Sequence, residues 1–151
     1  MALRIVIADS SDFGSDSMER FLRDNFDCEL IHKTNKGADV IYLLTHNCFD
    51  LVISDTELQD MEAYEVCRQL VQHDISVPVI GFAMSNEYYH CRLMMDAGGR
   101  GFLMRNVSNA ELRRCIETVC AGTMYICSRC HHLLSTRVQK KTELERAGSV
   151  V

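Results

Sequence analysis

Four positions in this 151-residue chain end or follow short apolar runs, and their side chains differ in charge and in chemical reactivity. Asp9 follows the run at 3–8, and Asp55 follows the run at 49–54. Carboxylates are hard oxygen ligands that suit a divalent cation, and the Asp55 carboxylate can also act as a nucleophile. Arg105 adds a positive charge after a third run, whereas Ala83 ends a fourth run without a functional group. Taken singly, the charged residues are most simply solvated loop residues, because Asp is common in turns.

Two kinds of apolar pattern alternate along the chain and predict how these positions are arranged. Short β-branched or continuous apolar runs predict strands, and apolar residues at spacings of three and four predict helices. The predicted strands are 3–8, 28–32, 49–54, 79–82 and 101–104, and the predicted helices are 13–26, 37–46, 61–72, 86–97 and 108–120. This order predicts an α/β fold with a doubly wound, five-stranded parallel sheet and helices on both faces. The carboxyl ends of the strands would then bring Asp9, Asp55 and Arg105 into one cleft.

Composition limits the class of protein. With 47% hydrophobic and 25% charged residues, the chain matches one domain with its own core, which we expect at 1–126 with a C-terminal tail at 127–151. The net charge of −5 gives no general attraction to phosphate backbones, so we expect no nucleic acid bound by this chain alone. No apolar run approaches the roughly 20 residues that cross a bilayer, and residues 1–8 lack the layout of a signal peptide. We therefore expect a cytoplasmic protein without a membrane segment.

The eight cysteines do not form the compact framework of a secreted disulfide scaffold, so reduced, mostly buried thiols are expected. Cys127, Cys130 and His131 have the spacing and ligand types of a zinc knuckle. Because the sequence offers no second pair of ligands, they are only a weak zinc candidate, and a redox-active thiol pair is an equally weak one. Residues 133–146 have the pattern of a marginally amphipathic helix that would self-associate or lead to an output domain.

Residues 3 to about 126 resemble a response-regulator receiver domain, particularly the kind that precedes a LuxR-type DNA-binding domain, as in LuxR/NarL-type regulators. The matching stretches are 4–9, 49–55, 60–62, 65–67, 77–80, 96–103 and 121–122. The resemblance implies a CheY-like fold with strand order 2-1-3-4-5. It also implies that Asp55 is the phosphoacceptor, that Asp9 is the first of an acidic pair, and that Phe102 is the aromatic switch residue.

The sequence departs from the family pattern inside the phosphorylation pocket. Ser10 stands where the family usually has a second acidic residue, so we expect weakened Mg²⁺ binding. Ala83 stands where a Ser or Thr usually hydrogen-bonds the phosphoryl oxygen, and Arg105 replaces the usual lysine. Glu57, two residues beyond Asp55, either restores part of the acidic charge or is an exposed loop residue.

The resemblance implies a phosphorelay protein that is not an enzyme. It would act with a sensor histidine kinase or phosphotransfer protein, form a homodimer, and be either a stand-alone receiver or the amino-terminal part of a transcription regulator. The alternative is a degenerate receiver that acts as a phosphorylation-independent dimerisation or docking module through its fourth helix, fifth strand and fifth helix. The exposed candidates on that face are Tyr88, Tyr89, His90, Arg92, Arg113 and Arg114. A flavodoxin-like cofactor binder is a further alternative, but no glycine-rich phosphate loop follows the first strand.

Overall fold

The sheet is parallel throughout and runs in the order β2-β1-β3-β4-β5-β6. The structure is a computed structural model that describes residues 1–84 and 88–131. Its strands are β1 (Leu3–Ala8), β2 (Cys28–Thr34), β3 (Leu51–Asp55), β4 (Val79–Ala83), β5 (Gly101–Met104) and β6 (Tyr125–Ile126). The predicted order of the first five strands is confirmed, and the short β6 extends the sheet beyond β5.

Five helices connect the strands in the described part of the chain. They are α1 (Asp12–Asn25), α2 (Gly37–His46), α3 (Ala63–Gln72), α4 (Tyr88–Asp96) and α5 (Asn109–Cys120). Two of them begin at serine caps, as their sequences favour. The Ser11 hydroxyl accepts from the Gly14 N–H at 2.9 Å, and the Ser108 hydroxyl accepts from the Glu111 N–H at 3.1 Å. These caps fix where α1 and α5 leave the loops that follow β1 and β5.

Helices cover both faces of the sheet. On β4 and β5, Gly81 pairs with Phe102, and Gly81 lies against Met94 of α4. The adjacent Gly101 lies instead against Val119 of α5. Because successive residues of a strand point to opposite faces, α4 and α5 pack on opposite sides. The central strands are therefore buried on both faces, which explains why β3 and β4 read as continuous apolar runs.

One surface prediction was wrong. His90 was expected to be exposed, but its side chain is 1% exposed, because α4 turns His90, Cys91 and Met94 toward the core. The other candidates that the structure describes on α4 and α5 are exposed, namely Tyr89, Arg92, Arg113 and Arg114. The side chain of Tyr88 and the predicted helix at 133–146 lie outside the described residues.

The chain continues beyond β6 as a helical turn at 128–131. Cys127 and Cys130, which the sequence assigned to a separate tail, are both buried against the domain.

Within the described residues, no helix combines the length and apolar character needed to cross a membrane.

Candidate functional site

The register of β1 and β3 brings Asp9 and Asp55 side by side. Ala8 pairs with Ser54 in the parallel ladder, so Asp9 and Asp55, the next residues of the two segments, lie at the same edge of the sheet. Arg105 directly follows β5 and reaches this edge from the other side of β4. The three side chains line one open cleft of about 540 Å³. The structure thus brings together the charged residues that the sequence placed at separate strand ends.

A single guanidinium nitrogen bridges both carboxylates. Nη2 of Arg105 lies 3.0 Å from Oδ1 of Asp55 and 3.5 Å from Oδ2 of Asp9. The Asp9 and Asp55 side chains are only 10% and 13% exposed, so water screens these contacts less than it screens surface ion pairs. Arg105 therefore neutralises part of the charge that a bound cation would otherwise balance.

Ser10 engages the second oxygen of Asp55. Its hydroxyl donates to Oδ2 of Asp55 at 2.7 Å, while Oδ1 faces Arg105. Both oxygens of the candidate nucleophile consequently have a partner within the protein. The position at which the resemblance implies a second acid holds a neutral donor here.

The charged neighbours also act on Arg105. Partial burial lowers the pKa of its guanidinium, but attraction to Asp55 and then to Asp9 outweighs burial, and the pKa is raised above its ordinary value. Arg105 is therefore a permanent cation in this cleft. Its backbone N–H donates to the carbonyl of Ala83 at 2.9 Å, which ties the ends of β4 and β5 together.

Gly14 is a positioning residue that the sequence analysis missed. A Cβ atom at this position would lie 2.5 Å from Oδ2 of Asp9 and 2.9 Å from the Ser11 hydroxyl. The absent side chain lets the first turn of α1 approach Asp9 closely, and the Ser11 N–H donates to Oδ1 of Asp9 at 2.9 Å. The available signal was a glycine near the start of the predicted helix at 13–26, because glycine is a poor helix former.

Asp60 anchors the loop that follows Asp55, and its role was also missed. Its Oδ1 accepts from the Gly37 N–H at 2.7 Å, and its Oδ2 accepts from the Ala38 N–H at 3.0 Å. Burial raises the pKa of Asp60, but the hydrogen bonds from Ala38 and Gly37 outweigh it and the pKa is lowered. Because Lys36 provides no side-chain cap to α2, Asp60 supplies that cap from a distant part of the sequence.

The remaining pocket residues lie around this centre. Glu57 lines the cleft, but its side chain is 67% exposed and its Oε1 lies 3.9 Å from Nε2 of His90. Ala83 is fully buried at the end of β4 and offers no hydroxyl. Phe102 is fully buried beneath the face covered by α4. Met84 is exposed and also lines the cleft.

The donor set can be compared with the needs of a hard divalent cation. Asp9 and Asp55 contribute carboxylate oxygens and Ser10 contributes a neutral hydroxyl, which is suitable ligand chemistry for Mg²⁺. Arg105, however, already bridges the two carboxylates. Within the described residues, no group of three His, Cys, Asp or Glu side chains is arranged to hold a metal. Asp9 and Asp55 are thus the residues that would hold the cation, and both also contact Arg105.

The zinc candidates lie outside this cleft. Cys127 and Cys130 are buried thiols, whereas His131 is exposed. The hydrogen bond with Cys130 and then burial raise the pKa of Cys127, so the thiol is held protonated, whereas zinc binds the thiolate. The structure gives no third ligand among the residues that it describes.

Comparisons with known proteins agree with this geometry. Residues 5–117 match the family model of the response regulator receiver domain. The chain is 21% identical over 126 residues to the response regulator UvrY of Escherichia coli strain K12, which covers 83% of this chain and 58% of UvrY. The chain therefore spans less than two thirds of that relative.

Solved structures show the same fold. A crystal structure of a LuxR-family two-component response regulator from Aurantimonas sp. SI85-9A1 has a TM-score of 0.83 at 19% identity, covering 91% of this chain and 99% of that chain. A structure of two RcsB dimers bound to two parallel DNAs has a TM-score of 0.79 at 14% identity, covering 89% of this chain and 68% of that chain. With a family model that matches well over half of its length, this chain belongs to the response regulator receiver domain family.

Proposed function

We propose that Asp55 is the phosphoacceptor of this receiver domain and takes a phosphoryl group from a histidine kinase or a phosphotransfer protein. The observation that carries the proposal is the position of its carboxylate, beside Asp9 and 3.0 Å from the Arg105 guanidinium in an open cleft. A phosphoryl group that entered this cleft would meet a nucleophilic oxygen and a fixed positive charge together.

The transfer needs little from the protein besides position and charge. One Asp55 oxygen forms the new oxygen–phosphorus bond, the phosphorus–nitrogen bond of a phosphohistidine breaks, and its electron pair stays on the imidazole nitrogen. Arg105 then balances charge on the phosphoryl oxygens. Because each Asp55 oxygen already has a partner, the contact with Ser10 or the contact with Arg105 must lengthen during the transfer.

A divalent cation completes the proposed site. Receiver domains generally bind Mg²⁺ at the phosphorylation site. When bound, it would supply further charge neutralisation for the transfer, with Asp9 and Asp55 as its carboxylate ligands. We propose that it binds weakly here, because Ser10 adds no charge and Arg105 shares the same carboxylates.

The wider setting follows from the family. Receiver domains interact with histidine kinases or phosphotransfer proteins, and the related RcsB structure contains dimers. We therefore propose that this chain is a cytoplasmic signalling protein that forms a homodimer and is not itself an enzyme. This chain spans 58% of UvrY, and we further propose that it is the amino-terminal part of a longer protein, a transcription regulator.

Incubation with Mg²⁺ and acetyl phosphate, followed by intact-mass spectrometry under acidic conditions, tests the proposal. We expect a mass increase of one phosphoryl group that Asp55→Asn abolishes. Asp74→Asn, a matched change in the turn after α3, should retain the adduct. If the unmodified chain stays without an adduct at high donor concentration, the phosphoacceptor role is wrong and the docking-module alternative takes its place.

A further inference from the structure

Three buried thiols from two parts of the chain meet on the side of the domain that carries β6. Cys91 comes from α4, and Cys127 and Cys130 come from the segment directly after β6. All three are buried. The neighbouring Cys127 thiol lowers the pKa of Cys130, but the neighbouring Cys91 thiol and burial outweigh it, and the pKa is raised to about 12. Cys130 is therefore the central thiol of a cluster that the phosphorylation site does not use.

The backbone places Cys127 and Cys130 in one helical turn. The Cys127 N–H donates to the carbonyl of Phe102 at 3.0 Å, and the Cys127 carbonyl accepts from the His131 N–H at 3.0 Å. Side chains three residues apart in such a turn lie on the same face at a short separation. A disulfide needs Cα atoms typically about 5–6 Å apart and Cβ atoms about 4 Å apart. One helical turn meets the first condition, and a small shift of this end turn is needed to bring the Cβ atoms to the second.

We propose that Cys127 and Cys130 form an intramolecular disulfide when the chain meets a small disulfide oxidant such as glutathione disulfide. Because the Cys127 thiol is held protonated in the closed domain, a cysteine of the pair reacts when local opening of the segment exposes it to water as a thiolate. That thiolate attacks a sulfur of glutathione disulfide, forms a mixed disulfide and releases one glutathione. The other cysteine then attacks the protein sulfur of that mixed disulfide and releases the second glutathione. The chain loses two thiol protons and two electrons, and two reduced glutathione molecules take them up.

Access to this pair is limited by the packing of a short edge strand. β6 has two residues, and the backbone bonds at its ends run from the Tyr125 N–H to the Arg100 carbonyl at 2.9 Å and from the Cys127 N–H to the Phe102 carbonyl. Local opening of such a segment requires less free energy than unfolding of the whole domain. The disulfide should therefore form under native conditions, but more slowly than glutathione reacts with the exposed thiols of Cys48 and Cys120.

Peptide mapping of the full chain tests the proposal directly. The reduced chain is incubated with glutathione disulfide, its remaining thiols are blocked under denaturing conditions, and it is digested with trypsin without reduction. Trypsin cuts after Arg129, between the two cysteines, so the proposed disulfide joins peptide 115–129 to peptide 130–137. A disulfide from Cys91 to Cys130 would instead join peptide 69–92 to peptide 130–137.

We expect the first linked pair in the unmodified chain and in Cys120→Ser, and its loss in Cys127→Ser and Cys130→Ser. Circular dichroism of the reduced variants shows whether each is folded. Because peptide 115–129 also contains Cys115 and Cys120, loss of the linked pair in Cys127→Ser identifies Cys127 as the partner, and its retention in Cys120→Ser excludes Cys120. The pair 69–92 with 130–137, or no linked pair at all after prolonged oxidation, would overturn the proposal. The readout does not involve Asp55, so it is independent of the phosphoacceptor test.

Discussion

The Ser10 hydroxyl donates a 2.7 Å hydrogen bond to Oδ2 of Asp55 across the gap between the ends of β1 and β3. The carboxylate of Asp55 is thereby held by a neutral donor on one oxygen and by Arg105 on the other. An acidic side chain at position 10 would instead place a like charge against Asp55. We therefore expect the residue at position 10 to affect how tightly this cleft binds an external cation.

Ser10→Asp should tighten Mg²⁺ binding by about tenfold or more, which corresponds to roughly 1.4 kcal/mol. The added carboxylate supplies a third charged oxygen ligand and removes the internal donor to Asp55. Isothermal titration calorimetry with Mg²⁺ measures the difference. Ser76→Asp is a control, because it adds the same charge at an exposed loop position before β4, outside the lining of the cleft. Equal affinities for the two variants would contradict the assignment of residue 10 as a ligand position.

Arg105→Met should also tighten Mg²⁺ binding, for a different reason. The variant removes the guanidinium that bridges Asp9 and Asp55, so the two carboxylates repel each other and attract a cation. Without Mg²⁺ we expect a loss of about 1 kcal/mol in the free energy of unfolding, a modest value because Arg105 is partly exposed. Added Mg²⁺ should raise the thermal midpoint of the variant more than that of the unmodified chain. Arg92→Met, which breaks a surface pair with Asp96, should show no such Mg²⁺ dependence.

Most of the fold could be predicted from periodicity. The apolar runs at 49–54 and 79–82 correspond to β3 and β4, which are buried on both faces and therefore lack alternation. The serine at 108 with Glu111 marked the start of α5. β6 was missed, because two residues are too few to show a period.

The site was only partly predictable, because some of its contacts depend on tertiary packing. Strand ends predicted that Asp9, Asp55 and Arg105 would meet, since parallel strands share an edge. The cap that Asp60 gives to α2 joins residues more than 20 positions apart, and no local pattern reports it. The burial of His90 depends on how α4 is rotated against the sheet, which a short helix with a weak apolar stripe does not fix.

Ala83→Ser should increase the fraction of chain phosphorylated at a fixed acetyl phosphate concentration. Ala83 is fully buried at the end of β4 and directly follows Phe82, which pairs with Asp55, and the resemblance to receiver domains implies that a hydroxyl here hydrogen-bonds the phosphoryl group. A donor to a phosphoryl oxygen stabilises the developing charge. Intact-mass spectrometry over time gives the rate of adduct formation. Ala63→Ser adds a buried hydroxyl at the start of α3 and should destabilise the chain without raising that rate.

Asp60→Asn should lower the free energy of unfolding at about pH 7 by roughly 1 kcal/mol, the usual size of a helix-capping contribution. The folded state lowers the pKa of Asp60, because the N–H groups of Ala38 and Gly37 favour the carboxylate more than burial disfavours it. The stabilisation is therefore complete above the unfolded pKa of about 4 and is lost as the pH falls through the folded pKa. Urea denaturation at about pH 7 and about pH 3 should show the difference between variant and unmodified chain shrinking at the lower pH.

Asp74→Asn is the matched control for that experiment, because Asp74 lies in the turn after α3 and not at a helix N-terminus. It should leave the pH dependence of the free energy of unfolding nearly unchanged. If the loss in the free energy of unfolding caused by Asp60→Asn stays constant from neutral to acid pH, it comes from changed packing or geometry around the amide. It then does not come from the missing negative charge that binds the Gly37 and Ala38 N–H groups. In that case the loop after Asp55 would be fixed by shape, and its anchoring would not weaken in acid.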